Sequence, residues 1–166
     1  ELKIIPEYIF ITHGHIDHAG AAKELATKLN LNIIGPHIDD SFLLESLEIQ
    51  GQMYGMNAQN FIPDKWLKHE DSISFGNQTL EIKHCPGHAP GHVIGINHKA
   101  KKIIAGDVLF NGSIGRTDLP RGNYQDLIDS INHHLLILDD TYIVHCGHGP
   151  DTSIGHERKT NPFLNA

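Results

Sequence analysis

The sequence predicts one domain in which α-helices and β-strands are mixed and packed in layers. Residues 7–12 form a short apolar run typical of a buried strand, residues 19–30 place apolar side chains at helical spacing, and residues 79–85 alternate apolar and polar side chains. No repeat, linker or low-complexity segment divides the chain. Because such mixed elements pack as layers around one core, we expect a single α/β (α+β layered) domain spanning residues 1–166.

The first part of the chain reads as a strand, loop, helix and strand. Pro6 and Gly14 bound the opening apolar run, and Gly35-Pro36 ends the unit. Residues 50–65 are rich in Gly, Asn, Gln and Met and show no period, so we predict irregular structure there. The predicted elements of this part are a strand at 7–12, a helix at 19–30, a strand at 31–34 and a helix at 39–47.

The second part of the chain predicts antiparallel strands followed by a helix and a last strand. Short apolar runs separated by turn residues are typical of antiparallel strands, and Leu127, Ile131 and Leu135 lie at helical spacing. The predicted elements are strands at 79–85, 93–97 and 102–105, a helix at 124–138 and a strand at 141–145.

Composition excludes several classes of partner. The formal net charge is −7 and no Lys/Arg-rich block occurs, which argues against nucleic acid. No apolar run is long enough to span a membrane, and the first residues lack the organisation of a signal peptide, so we expect a cytoplasmic protein. Cys85 and Cys146 are too few for a disulfide framework, and we expect reduced thiols that bind no metal.

The densest chemical signal lies between the first strand and the first helix. His13, His15, Asp17 and His18 bring three imidazoles and a carboxylate within six residues, and Gly14 permits close approach of the backbone. Imidazole and carboxylate together suit zinc, iron and manganese. We therefore interpret this loop as a metal-binding motif rather than a solvated polar loop.

Three further polar residues each follow a predicted strand and have glycine close by. They are His88 in CPGHAPGH, Asp107 in GDVLF and His148 in CGHGP. Any one of them alone would more often mark a turn. Loops at strand ends can, however, gather ligands from distant parts of a chain, so together they extend the metal-binding motif.

This pattern resembles that of the metallo-β-lactamase superfamily, which is His-x-His-x-Asp-His, then a distant His, then Asp, then His. The resemblance covers nearly the whole chain and implies an αββα sandwich. Two longer segments, SIGRTDLPRGN at 113–123 and GHGPDTSIGHERKTNPF at 147–163, look like the small, single-domain bacterial branch of glyoxalase II-like hydrolases.

The resemblance implies a site for two divalent metal ions, with zinc expected first and iron or manganese as alternatives. Carried over by position, the first ion is held by three histidines, the second by a carboxylate and two histidines, and one carboxylate bridges both. The ligands are His13, His15 and His88 for the first ion, Asp17, His18 and His148 for the second, and Asp107 for both.

The implied reaction is hydrolysis of a small thioester, an S-acylglutathione such as S-lactoylglutathione, to an acid and a thiol. Two neighbouring divalent ions lower the pKa of a shared water towards neutrality and polarise the carbonyl group under attack. The leaving thiolate is a weak base, so little general-acid help is needed. Asp17, Asp107 and Arg116 are the residues that we expect to take part in catalysis.

Arg116, His92 and the other histidines lie outside the predicted metal-ligand set, and their sequence patterns indicate less specific roles. Arg116 has donors that could bind a substrate carboxylate, although an arginine that caps a loop is an equal alternative. We expect His92 to pack or to support the site by donating a hydrogen bond to a neighbour. The other histidines are expected to be ordinary polar groups: His37, His69, His84, His98, His133, His134, His145 and His156.

The chain also departs from the family pattern at its ends. Its metal loop begins only twelve residues from the start, so we expect a domain that lacks the family's N-terminal strands. The strand at 7–12 would then have an unpaired edge, which favours self-association and low stability. No helical region of the kind that binds glutathione in glyoxalase II follows, so the thiol carrier stays open.

Four alternatives remain open. A single-iron persulfide dioxygenase also resembles the chain through Gly115-Arg-Thr-Asp118, although the ending GHGP at 147–150 favours the hydrolase. A lactonase is a second alternative. A β-lactamase is less expected, since the best-known zinc enzymes have a cysteine or histidine where this chain has Asp107. The last alternative is an inert metal-binding fragment.

Overall fold

The structure is a computed structural model that describes residues 4–165. Its first part alternates two short strands with helices. These elements are β1 (Tyr8–Phe10), α1 (Ile16–Ala19), α2 (Ala22–Leu29), β2 (Asn32–Ile34), a 3-10 turn (Ile38–Asp40), α3 (Ser41–Leu44) and α4 (Leu47–Tyr54). The second part contains β3 (Ser72–Phe75), β4 (Gln78–His84), β5 (Val93–Asn97), β6 (Lys102–Gly106), β7 (Leu109–Phe110), β8 (Ser113–Ile114), α5 (Tyr124–His134), β9 (Ile143–Cys146), β10 (Thr152–Ser153) and α6 (Ile154–Thr160).

Two sheets form the middle of the molecule. In the smaller sheet β1 pairs in parallel with β2. The larger sheet has six strands in the order β10-β9-β6-β5-β4-β3, and all of its pairs are antiparallel except β6 with β9. That parallel pair needs a crossover connection, which α5 provides. A short hairpin of β7 and β8 lies outside both sheets.

Three clusters of buried side chains show that the sheets and helices form four layers. One cluster packs α1 to α4 against the small sheet, through residues such as Ile11 and Leu44. A second lies between the two sheets and includes Leu80 and Ile82 of β4. The third packs the large sheet against α5 and α6, with Ile131 among its members. This arrangement confirms the predicted α/β layered class.

Local predictions were less accurate between residues 39 and 65. The helix predicted at 39–47 is divided into the 3-10 turn and α3. The prediction of irregular structure over 50–65 is wrong for its first residues, because α4 continues to Tyr54 and ends at Gly55, which has a φ of 68°. A glycine adopts this left-handed conformation at little cost and so terminates the helix.

Several short elements were not predicted at all. The single turn α1 lies inside the metal-binding loop, and β3, β7, β8, β10 and α6 have no counterpart in the sequence prediction. The helix predicted at 124–138 is shorter, since α5 ends at His134. Very short elements leave too few residues for a period to be recognised.

The topology brings the ligand-bearing loops to one edge of the molecule. β4 and β6 run in the same direction because each is antiparallel to β5, and β9 is parallel to β6. His88, Asp107 and His148 therefore follow strands that end at the same side of the large sheet. The backbone N–H of Val93 donates to the Thr12 carbonyl at 2.8 Å, which fixes the metal-binding loop against this edge.

In residues 4–165 no helix combines the length and the apolar character needed to cross a membrane.

Candidate metal centre

Three of the predicted ligands form a first group of converging imidazoles. His13 is fully buried after β1, His15 caps the start of α1, and His88 lies in the loop between β4 and β5. One ring nitrogen from each residue lies within 4.8 Å of the other two. His15 Nδ1 and His88 Nε2 are only 2.9 Å apart.

A second group contains one carboxylate and two imidazoles. Asp17 and His18 are adjacent residues of α1, and His148 follows β9. His148 Nε2 lies 3.1 Å from Asp17 Oδ2 and 3.2 Å from His18 Nε2. This group is more open to solvent, because the side chains of Asp17 and His148 are about half exposed.

Asp107 lies between the two groups, with only 6% of its surface exposed. Its Oδ2 atom is 3.5 Å from His88 Nε2 of the first group and 3.4 Å from His148 Nε2 of the second. Its Oδ1 atom is 3.2 Å from His18 Nε2. The seven residues predicted as ligands are thus all brought together around one carboxylate.

Several polar atoms at this centre are acceptors that face one another without a donor, an arrangement that suits a bound cation. Within residues 4–165, His13 Nε2 is buried without a hydrogen-bond partner, and the His18 ring 3.2 Å from Asp107 Oδ1 is not oriented to form a regular hydrogen bond with it. Because a carbonyl only accepts, the 2.8 Å contact of His88 Nδ1 with the Arg116 carbonyl places the proton on Nδ1. The lone pair of His88 Nε2 therefore faces His15, an arrangement that a shared positive ion would satisfy.

Burial keeps the imidazoles of the first group neutral. Desolvation, with help from the neighbouring histidines, lowers the pKa of His13 well below its usual value. Desolvation and the proximity of His88 lower the pKa of His15 to about 4. A neutral imidazole is the form that binds metal ions, so no proton must be displaced from these rings at neutral pH.

His92 supports the centre without joining it. Its ring is completely buried and stacks on His13, with ring centroids 4.6 Å apart. His92 Nε2 accepts a hydrogen bond from the backbone N–H of Asp107 at 3.0 Å. His92 packs as predicted, but it accepts the hydrogen bond from Asp107 rather than donating one to a neighbour.

A separate group of His37, Asp39 and His84 also has its ligand atoms within 4.8 Å of one another. The rings of His37 and His84 are stacked, with centroids 4.2 Å apart and planes inclined by 24°. The lone pair of an imidazole nitrogen lies in the ring plane, so two nearly parallel rings do not direct their lone pairs at one ion. We assign no ion to this group.

Neither cysteine takes part in the metal groups. Cys85 is fully buried in the core between the large sheet and α5, and burial raises the pKa of its thiol. Burial also raises the pKa of the half-buried Cys146 thiol to about 11. Among the described residues, the groups of converging ligand atoms contain neither thiol.

Arg116 is engaged with a neighbour. Its Nε and Nη2 atoms donate to the two carboxylate oxygens of Asp118 at 2.6 and 2.7 Å. This pair is exposed, and the guanidinium lowers the pKa of Asp118 to about 2. A substrate carboxylate would have to compete with Asp118 for these donors, while the backbone of Arg116 orients His88.

A cavity of about 890 Å³ opens over the predicted metal ligands. One wall of it comes from α3, α4 and the residues after α4, and it is largely apolar. Met53 and Tyr54 in this wall expose 75% and 69% of their surface, so apolar surface lies open beside the polar site. The apolar lining residues include Phe42, Leu43, Met53, Tyr54, Met56, Phe110, Ile114 and Leu119.

Two features of the site were missed by the sequence analysis. The apolar wall falls partly in the stretch predicted to be irregular, although two methionines and a tyrosine in that stretch were a usable signal. Asp40 is completely buried and accepts hydrogen bonds from the loops that carry the ligands. Asp40 lies in the first turn of the helix predicted at 39–47, where an aspartate is favoured by the helix dipole, so its sequence position disguised this role.

The fold is an αββα sandwich, and histidine and carboxylate side chains that could hold metal ions converge at its edge. The chain belongs to the metallo-beta-lactamase superfamily, whose sequence profile matches residues 6–148. This membership confirms the resemblance on which the ligand assignment depends.

The chain is similar to several named members of the superfamily. It is 46% identical over 168 residues to hydroxyacylglutathione hydrolase GloC of Haemophilus influenzae, covering 100% of this chain and 79% of that protein. The BLEG-1 B3 metallo-beta-lactamase has 36% identity and a TM-score of 0.89, covering 99% of this chain and 79% of that one. The di-iron-bound form of TTHA1623 has 37% identity and a TM-score of 0.88, covering 97% and 79%. These similarities support a metal-dependent hydrolase that acts on a small molecule.

Proposed function

We propose that this chain hydrolyses a small thioester, in the manner of glyoxalase II, with two divalent ions bound at the centre. The observation that carries the proposal is the position of Asp107, whose Oδ2 atom lies within 3.5 Å of His88 Nε2 and 3.4 Å of His148 Nε2. A carboxylate has two oxygens and can therefore serve both ligand groups. The similarity to a hydroxyacylglutathione hydrolase supports an S-acylglutathione, such as S-lactoylglutathione, as the substrate.

The proposed ligands are those described above. His13, His15 and His88 would hold one ion, Asp17, His18 and His148 the other, and Asp107 would be shared. Zinc is the first expectation for such ligands, and iron and manganese are compatible alternatives. Iron gains support from the di-iron-bound form of the similar TTHA1623.

The chemistry that such ions supply when bound is activation of water at neutral pH and stabilisation of negative charge on the attacked carbonyl group. The chain itself contributes oriented ligands: the Arg116 carbonyl fixes the ring of His88, and Thr12 Oγ1 contacts His13 Nδ1 at 3.1 Å. The apolar wall of the cavity can hold the acyl group and keep bulk water away from the carbonyl group. A thiolate leaving group is a weak base and needs little help from a general acid.

The remaining expectations stay predictions of the sequence. They are a cytoplasmic location, a single domain over residues 1–166 and the absence of nucleic-acid and membrane partners. We retain Asp17, Asp107 and Arg116 as proposed participants in catalysis.

The first test is the metal content of the gently purified chain together with thioester turnover. We expect about two ions per chain and hydrolysis of S-lactoylglutathione. His148→Ala should lower the content to about one ion and abolish most activity, since that histidine belongs to the second group only. His133→Ala is the matched control, because His133 lies on α5 and its Nδ1 donates to the Asp129 carbonyl instead.

The alternatives give different results in the same assays. One iron per chain with oxygen consumption would favour the persulfide dioxygenase. Bound metal without any turnover would favour an inert fragment. Faster hydrolysis of a lactone than of the thioester would favour a lactonase, and faster hydrolysis of a β-lactam would favour a β-lactamase. The similarity to BLEG-1 is the reason to include β-lactams among the substrates.

A further inference from the structure

Asp40 ends the 3-10 turn and precedes α3, and no part of it is exposed. It occupies the N-cap position of α3, yet its side chain makes no capping hydrogen bond. No lysine or arginine in the described residues forms an ion pair with it. A buried carboxylate without a cationic partner is costly to maintain unless its oxygens accept hydrogen bonds.

Both oxygens of Asp40 are used, one for each ligand-bearing loop. Oδ2 accepts a hydrogen bond from the backbone N–H of Gly14 at 2.8 Å, and Oδ1 accepts one from Gly91 at 2.5 Å. Gly14 lies between two ligands of the first group, His13 and His15. Gly91 belongs to the loop that presents His88, so one carboxylate joins the two loops from which the first group is built.

The backbone of both loops lies directly against this turn. A Cβ atom at Gly91 would be 2.5 Å from the Asp40 nitrogen, and one at Gly14 would be 2.7 Å from Leu43 Cβ. The backbone N–H of His37 also donates to the Gly91 carbonyl at 2.9 Å. The glycines therefore permit the close approach that the two hydrogen bonds of Asp40 require.

Burial raises the pKa of Asp40 to about 6, although the N–H groups of Gly14 and Gly91 favour its charged form. The fold thus keeps a carboxylate in an unfavourable environment where a simple capping aspartate would be solvated. This supports a specific requirement for a carboxylate at position 40, whose two oxygens accept hydrogen bonds from Gly14 and Gly91.

We infer that Asp40 is a positioning residue, which holds the loops of residues 13–18 and 88–92 at the separation that the first metal-binding group needs. The inference rests on the proposed metal centre. In the described residues Asp40 forms no hydrogen bond or ion pair with a proposed ligand side chain; it acts through the backbone of the loops that carry them. Substitution of Asp40 should therefore change the relative positions of His13, His15 and His88 and lower their affinity for a metal ion, although all three histidines are still present.

The test compares Asp40→Asn with Asp39→Asn. An asparagine at position 40 has the same shape but only one acceptor oxygen, and its NH₂ group would face one of the two N–H donors. We expect zinc affinity, measured by chelator competition, to fall about 10-fold or more, as for other groups that orient ligands indirectly. Asp39 is a fair control, because its carboxylate faces His37 and bonds to neither loop.

Two further readouts separate positioning from general stability. The visible spectrum of the Co²⁺-loaded Asp40→Asn protein should differ from that of the wild type, since the spectrum reports ligand geometry. In the metal-free wild type, the amide hydrogens of Gly14 and Gly91 should exchange slowly with solvent. This measurement uses only the wild type, so it does not depend on whether Asp40→Asn folds. Free exchange of either amide would overturn the inference.

The outcomes distinguish this inference from the proposed function. Failure of the wild type to bind metal would contradict the proposed function. Tight metal binding by the wild type, with the same affinity and Co²⁺ spectrum in Asp40→Asn, would contradict the role of Asp40 alone.

Discussion

At the scale of single residues, the centre depends on pairs of polar groups that fix one another. Asp107 is held where it faces both ligand groups, and His88 is oriented by the backbone of Arg116. Arg116 itself is the least settled of the proposed residues. Its backbone serves the metal site, whereas its side chain forms an exposed pair with Asp118.

The role of the Arg116 side chain can be tested with two substrates. If its guanidinium binds a substrate carboxylate, Arg116→Ala should raise the KM for an S-acylglutathione about 5-fold, the effect expected for one exposed ion pair. The KM for a thioester of an uncharged thiol should stay the same, and so should the metal content. Equal changes in KM for both substrates would show that the side chain does not recognise a carboxylate.

The partner residue offers the complementary variant. Asp118→Asn removes the competing carboxylate that now accepts both hydrogen bonds from Arg116. We expect the KM for the S-acylglutathione to fall in this variant. An unchanged or higher KM would favour a purely structural role for the pair.

At the scale of elements, α4 is the part of the fold that shapes the cavity. It was predicted as irregular beyond residue 50, yet it forms two turns of helix that end sharply at Gly55. Its last residues, Met53 and Tyr54, stay exposed beside the metal ligands. Exposed apolar surface next to a site is typical of ligand binding.

Substitutions on α4 should therefore affect large acyl groups more than small ones. We expect Met53→Ser or Tyr54→Ser to raise the KM for a hexanoyl thioester about 5-fold, because about 1 kcal/mol of apolar contact is lost. The KM for the acetyl thioester should hardly change. Ile49→Ser is the matched control, since Ile49 is 63% exposed on the same helix but does not line the cavity. An equal effect of all three variants would argue against contact between the wall and the acyl group.

At the scale of the whole molecule, the small sheet stands out because it has only two strands. In the described residues, β1 pairs only with β2, which leaves its second edge without a strand. Ile4 and Ile5, just before β1, expose 77% and 86% of their surface. Unpaired edges with apolar neighbours favour association between copies of a chain.

We expect this chain by itself to associate and to have low stability. Sedimentation velocity should show a mass that increases with protein concentration, and thermal unfolding should occur below about 60 °C. Ile5→Lys should reduce association, whereas Ile137→Lys, at a position 72% exposed between α5 and β9, should not. A monomer at every concentration that melts sharply above about 60 °C is the contrary result.

The sequence alone determined the family and predicted which residues would bind the metal ions. His13, His15, Asp17 and His18 lie in one short loop, and each later ligand follows an apolar run that forms a strand. These motifs can be recognised without a structure, because they consist of particular residue types at short spacings along the chain. The layered α/β class followed for the same reason, since the periods of β4, β5 and α5 are local properties.

Only the tertiary structure decided what surrounds those ligands. Asp40 accepts hydrogen bonds from Gly14 and Gly91, which are 26 and 51 residues away in the sequence. No local sequence pattern predicts a contact between residues so far apart in the chain. The side-chain pair of Arg116 and the exposed face of α4 likewise depend on how loops and helices pack. Ligand chemistry is a property of single residues, whereas positioning and substrate shape arise from contacts that exist only when distant segments meet in the folded chain.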